Sequence, residues 1–236
     1  MRDTLTQIAL GPLLLAQGLY TRRVTPKLPE ASGDRQGICG QGPLLRVLIA
    51  GDSAAAGVGA AHQQEALAGQ IVATLSDTHT VHWRLVAQTG LTTEEVLRRL
   101  SQHEPEPVDI AVVSVGVNDV TSRIQAAAWR SQLQALASEL IDRHQARHIL
   151  FAPVPPMHLF PALPQPLRWY LGSRAKAFNH ELANWAGTQA SCELLDMRLP
   201  LNPELMASDG FHPGPALYRI WAEYVVRAIQ TRPLRP

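Results

Sequence analysis

The chain is poor in cysteine. Cys39 and Cys192 stand far apart in 236 residues, without the Cys-x-x-Cys spacing of a zinc or redox pair. A disulfide scaffold and a structural zinc site are therefore unsupported. No His-Glu-x-x-His motif occurs among the nine histidines, and no cofactor or metal is expected. A charge excess is missing too: 21 basic against 20 acidic side chains leave a net charge of +1, so no large field draws the chain to nucleic acid. Aromatic residues make up only 6%, which leaves a sugar substrate little to stack on. The longest apolar run near the N-terminus, Ile8 to Ala16, falls short of the ~20 residues that cross a bilayer. Internal repeats and low-complexity tracts are absent as well.

What the chain has is an alternation. Hydrophobic residues form 46% of it, enough for a sizeable core. Short apolar runs at Leu44–Gly51, Val81–Ala87, Asp109–Val115, Arg147–Ala152 and Cys192–Leu195 read as strands buried on both faces of a parallel sheet. Helices are predicted between them, at about 62–76, 92–103, 125–144 and 167–190, with a last one ending near Ile229. Thr92 followed by Glu94 and Glu95 is a helix start that suits the positive dipole end. Val154–Pro166 holds five prolines and cannot be regular, yet it is apolar. The pattern predicts a three-layer α/β/α domain over residues 43–236, with a five-stranded parallel sheet in flavodoxin-like order.

Residues 1–42 precede that domain as a helix and an irregular connector, Thr25–Gly42. Residues 4–20 read as a retained amphipathic helix, packed on the domain or lying in a membrane interface with Arg22, Arg23 and Lys27 behind it. A cytoplasmic or membrane-peripheral location follows. The alternative is an export signal cleaved near Ala16-Gln17-Gly18, although Arg2 and Asp3 give its leading region no net charge.

The first strand stops at Gly51-Asp52-Ser53, where small residues keep bulk from the Ser53 hydroxyl. A P-loop would need a lysine that is not there, and Gly57-Val58-Gly59-Ala60-Ala61-His62 fails the last position of the dinucleotide fingerprint. Polar residues at other strand ends complete a set: Gly90 after the second, Asn118 after the third, and Asp209 with His212 before the last helix. In a parallel sheet such ends share one edge. Acyl transfer needs a nucleophile, a base, an orienting carboxylate and oxyanion donors, and these residues can fill every role.

The blocks Gly51-Asp52-Ser53-Ala54, Gln88-Thr89-Gly90, Gly116-Val117-Asn118-Asp119 and Asp209-Gly210-Phe211-His212-Pro213 resemble those of the SGNH, or GDSL-type, serine hydrolases. The resemblance implies Ser53 as nucleophile, His212 as base and Asp209 as its orienting carboxylate. It implies an oxyanion hole from the backbone N–H groups of Ser53 and Gly90 and the amide of Asn118. Ala54 departs from the leucine of the family name, a change expected to affect packing only. The expected activity is esterase or lipase-like hydrolysis of small carboxylic esters with short to medium acyl chains. Carbohydrate O-acetyl esterase, lysophospholipase or thioesterase activity stands as the alternative, and a non-catalytic binding domain as the remote one.

Other polar residues are expected to be structural. Asp52 and Asp119 should bond to loop amides, Asp109 and Asp196 should face solvent or cap, and His62 should lie on the surface. His158 is a candidate for the cleft wall, and Trp169 and Tyr170 for core anchors. Oligomeric state is left open.

Overall fold

A computed structural model describes residues 2–200 and 202–231 of the chain, without the side chains of residues 2–9. The charges of Arg2 and Asp3, and the extreme ends of the spans 1–42 and 43–236, lie outside the described residues.

Six strands form one sheet: β1 (Gln36–Cys39), β2 (Leu44–Gly51), β3 (Thr80–Ala87), β4 (Ile110–Ser114), β5 (His148–Phe151) and β6 (Cys192–Leu194). Their order is β1-β3-β2-β4-β5-β6. The five expected strands are parallel in flavodoxin-like order, and β1 is an antiparallel addition on the β3 edge, Gln36 facing Arg84 and Cys39 facing Val81. The connector is therefore not wholly irregular. Its strand is four residues long, includes a glycine and alternates exposed with half-buried positions. Such an edge strand has no apolar run to announce it.

The helices are α1 (Arg2–Val24), α2 (Leu67–Leu75), α3 (Thr93–Ser101), α4 (Val117–Thr121), α5 (Ala126–Ser138), α6 (Leu167–Ala186) and α7 (Pro215–Gln230). Strand β2 shows how the layers divide. Leu48 and Ala50 face a core shared with α3, α5 and α6, whereas Val47 and Ile49 face a second core shared with α2 and α7. This is the period-two alternation of a strand covered on both faces.

Some boundaries move. The helix expected from His62 begins as a short 3-10 turn at Gln63–Glu65 and becomes α only at Leu67. Gln63 is buried there, and its amide donates to the carbonyls of Ala31 and Ala56. The helix expected to reach His144 is α only to Ser138 and ends in a π turn, Glu139–Arg143. The cap of α3 forms as expected, with Thr92 N–H and Oγ1 both donating to Glu95.

Helix α1 lies against the domain along a narrow seam. Leu14 and Thr21 are buried, and the Gln17 amide donates to the Gln165 carbonyl while accepting the Leu167 N–H. Among the described side chains of α1, those from Leu10 on, apolar residues face solvent as well as the domain. No helix among the described residues is long and apolar enough to cross a membrane.

Candidate active site

Strand β2 delivers Ser53 to the carboxyl edge of the sheet, where the chain turns tightly instead of continuing. Ala56 N–H bonds to the Asp52 carbonyl and Val58 N–H to the Ser53 carbonyl. Two fixtures hold this turn. The buried Tyr218 of α7 donates its hydroxyl to the Val58 carbonyl at 2.7 Å. Gly59, at φ +100°, packs so closely on Pro213 that a Cβ would sit 2.2 Å from the Pro213 carbonyl oxygen. The serine loop and the histidine loop are thus in direct contact.

The histidine loop folds on Asp209. One carboxylate oxygen accepts the N–H groups of Phe211 (2.9 Å) and His212 (3.0 Å), and the other meets His212 Nδ1 at 2.6 Å. The opposite ring nitrogen, Nε2, lies 2.8 Å from Ser53 Oγ. Burial pushes the Asp209 carboxyl up, but the bonds from His212 and Phe211 outweigh it and hold it below the usual carboxylate range. The Asp209 carboxylate therefore stays ionised. Phe211 locks the loop from outside by packing edge-on against Phe160, with ring centroids 4.9 Å apart.

Donors converge on the same edge. Among the described residues the N–H groups of Ser53 and Gly90 have no acceptor. Gly90 is exposed at φ +86°, with open space where a Cβ would point. Asn118, on α4, donates from Nδ2 to the Leu91 carbonyl at 2.9 Å and has only a 3.4 Å contact with Asp52 for its other hydrogen.

Asp52 and Asp119 bond to loop groups. Asp52 accepts the Ala54 N–H, and Asp119 accepts both the N–H and the hydroxyl of Thr93, whose oxygen in turn accepts the Trp129 indole N–H. Burial raises both carboxyls, that of Asp52 to about 7. Two other expectations need correction. Asp109 is buried, accepting the Arg46 N–H and pairing with Arg46 and Arg147, because β4 starts one residue later than expected and its carboxylate ties the strand ends together. Trp169 is 50% exposed rather than a core anchor, since its face of α6 turns outward. Tyr170 is half-buried and packs against the core, as expected. Asp196 and His62 are exposed.

Glu30 was not foreseen. Its carboxylate accepts the Thr89 N–H at 2.6 Å and pairs with Arg35 at 3.0 Å, and Arg35 donates to the Ala87 carbonyl. These bonds hold the Gly90 turn from a connector about sixty positions away, a distance over which the sequence carries no pairing signal.

A cavity of about 220 Å³ opens beside Ser53 and His212. The proline-rich loop supplies much of its wall through Val154, Pro155, Pro156, His158 and Phe160, and Ala175 and Met206 close other sides. The lining is mostly apolar. For metal binding, the described residues offer no group of three or more His, Cys, Asp or Glu side chains. His144 and His148 are four residues apart, yet His148 lies beside Glu193 while His144 is buried at the end of the π turn.

A family model for the GDSL-like lipase/acylhydrolase family matches residues 49–220, which contain Ser53, Gly90, Asn118, Asp209 and His212. The chain belongs to this family of SGNH hydrolases. Among solved structures it is similar to a lipase/acylhydrolase from Enterococcus faecalis, at 20% identity and TM-score 0.57, over 79% of this chain and 95% of that one. It is also similar to the psychrotrophic esterase EstA from Pseudoalteromonas sp., at 19% identity and TM-score 0.58, over 78% and 96%. An acetylxylan esterase from Geobacillus stearothermophilus aligns at 16% identity and TM-score 0.57, over 83% and 98%. These likenesses establish a shared fold. No curated protein matches the chain.

Proposed function

We propose that the protein hydrolyses carboxylic esters of short to medium acyl chains through an acyl-enzyme on Ser53. The observation that carries this reading is the unbroken line Asp209–His212–Ser53, at 2.6 and 2.8 Å, opening on an apolar cavity. In the first half-reaction His212 Nε2 takes the Ser53 proton as Oγ attacks the acyl carbonyl. The tetrahedral oxyanion meets the Ser53 and Gly90 N–H groups and the Asn118 amide, and His212 returns the proton to the departing alcohol. Water, activated by the same nitrogen, then cleaves the acyl-serine. Asp209 holds the imidazole in the tautomer that leaves Nε2 free to accept, and it stabilises the imidazolium.

The cavity supports the chain-length assignment. Its walls are mostly apolar side chains, Val154, Pro155, Pro156, Phe160, Ala175 and Met206 among them, which suits an acyl chain of several carbons. An acetyl group would leave most of that apolar wall uncovered, which ranks sugar acetates below acyl esters. Labelling by a fluorophosphonate, located at Ser53 by mass spectrometry, tests the nucleophile and separates an enzyme from a binding domain. A nitrophenyl ester series from acetate to dodecanoate tests the chain length, with kcat/KM expected to peak between butanoate and octanoate. Unlabelled Ser53, or a profile that falls steadily from acetate, would overturn the corresponding half of the reading.

A further inference from the structure

Helix α1 lies outside the span matched by the family, and the seam that docks it covers only one side. Successive residues of a helix turn by 100°, so Leu13, Tyr20 and Val24 (i, i+7, i+11) form one exposed stripe, and Leu15 with Leu19 (i, i+4) form another about 140° around the helix, with Arg23 between them. Leu15, Leu19 and Tyr20 are 65%, 60% and 63% exposed. Exposed Trp169 lies two residues after Leu167, whose N–H donates to Gln17 of α1. The exposed guanidinium groups of Arg22 and Arg23 follow in the last turn. Leucines flanked by tyrosine, tryptophan and arginine are what a helix lying in a lipid headgroup region presents.

Position adds the second argument. The lip of this face, Leu15, Leu19 and Arg22, is one wall of a groove of about 460 Å³. Its other walls come from Leu163, Tyr170 and Leu171, and it ends at Asn118 and Phe211, beside the candidate site. The same groove is thus bordered both by this apolar face and by Asn118, the side chain that the proposed mechanism assigns to the oxyanion.

We propose that the outer face of α1, with Trp169, seats the protein on an anionic lipid–water interface, from which ester substrates enter along this groove. The substrate class rests on the ester-hydrolase reading; the docking does not. Arg22 and Arg23 supply the preference for anionic lipid, and the leucine stripes supply the insertion.

The test uses the full chain carrying Ser53→Ala, so that binding is read without turnover. Cosedimentation with phosphatidylcholine vesicles containing one third phosphatidylglycerol should exceed that with pure phosphatidylcholine about tenfold, and added salt should erase the difference. The paired change Leu13→Asp and Tyr20→Asp, outside the groove lining, should lower vesicle binding at least tenfold. Arg23→Glu should remove the anionic preference while weak binding to neutral vesicles remains. In the active protein the paired change should leave turnover of a soluble nitrophenyl butanoate within twofold and cut turnover of the same chemistry in vesicle-embedded esters. Absence of binding by the parent protein, equal binding by the paired variant, or a parent dimer in light scattering that the paired change dissociates would each overturn the proposal, the last in favour of self-association. Unaltered vesicle binding by a protein that hydrolyses no ester would sink the hydrolase reading alone.

Discussion

Glu30 accepts the backbone N–H of Thr89 at 2.6 Å, one residue before the Gly90 N–H that the proposed mechanism aims at the oxyanion. Burial raises the Glu30 carboxyl, but the bonds from Thr89 and Arg35 more than offset it and hold it below its usual range. The carboxylate is therefore a permanent acceptor near neutral pH. Glu30→Ala should lower kcat about tenfold, the effect of losing one charged hydrogen bond of roughly 1.5 kcal/mol, with KM within about twofold. Glu30→Gln keeps an acceptor and should recover most of the loss. A merely structural role would move melting temperature and leave the kcat-to-KM split untouched, so steady-state kinetics on both variants decides it.

Ser53→Ala should abolish turnover while leaving the melting temperature nearly unchanged, because the side chain's one described bond is to His212. By comparison with serine proteases, either Ser53→Ala or His212→Ala alone costs on the order of 10⁶ in kcat, and the pair together hardly more. If a tenth of the activity survived in either single variant, the nucleophile or base would lie elsewhere.

Asn118→Ala should lower kcat by roughly 10² to 10³ with a smaller change in KM, as its amide matters most when negative charge develops. Asn118→Asp should be worse still. It would set a carboxylate against the Leu91 carbonyl and 3.4 Å from Asp52, besides repelling the oxyanion. An Asp variant equal to or better than the Ala variant would remove Asn118 from the oxyanion hole.

How much of this could be read from the residues alone differs by interaction range. Strands β2, β4 and β5 were legible because burial on both faces forces continuous apolar runs, and the carboxyl-edge position of Ser53 and Asn118 follows from parallel pairing. The Asp209–His212 pair is local, three residues apart on a proline-stiffened loop, so its geometry was accessible too. Strand β1 was not, since an edge strand needs no apolar face. Glu30 was hidden for a different reason: its partner Thr89 is distant in sequence and the bond is to backbone, which carries no side-chain signature. Trp169 was misplaced because an aromatic residue at a helix start usually anchors a core, and nothing local shows which way that helix face turns.

Asp52 gives the stability a pH dependence. Its pKa is raised to about 7 by burial, against 3.8 for an unperturbed aspartate, and the residue is only 2% exposed. Between these values the folded state binds more protons than the unfolded one, so this group's contribution is complete below about pH 4 and is lost as pH rises through about 7. By linkage the loss is at most about 4 kcal/mol. Asp52→Asn removes the titration while keeping an acceptor for the Ala54 N–H. The difference in unfolding free energy, variant minus parent, should therefore rise between pH 5 and pH 8 in urea titrations. A difference that stays flat over that range would mean Asp52 is ionised throughout.

The acyl cavity can be shortened from α6. Ala175 is buried and lines the cavity, so Ala175→Leu would push three more carbons into the 220 Å³ space. A chain that no longer buries its last three methylenes loses about 0.8 kcal/mol for each, or roughly fiftyfold in kcat/KM. Octanoate esters should fall by that order while acetate esters stay within about threefold, moving the optimum toward shorter chains. Overpacking carries its own cost of about 1 to 3 kcal/mol in stability, so a lower melting temperature is expected alongside. The discriminating quantity is the ratio of octanoate to acetate activity, which a general loss of folded protein cannot change. If that ratio stayed constant, the acyl chain would occupy a different channel, and the groove against α1 would be the place to look for it.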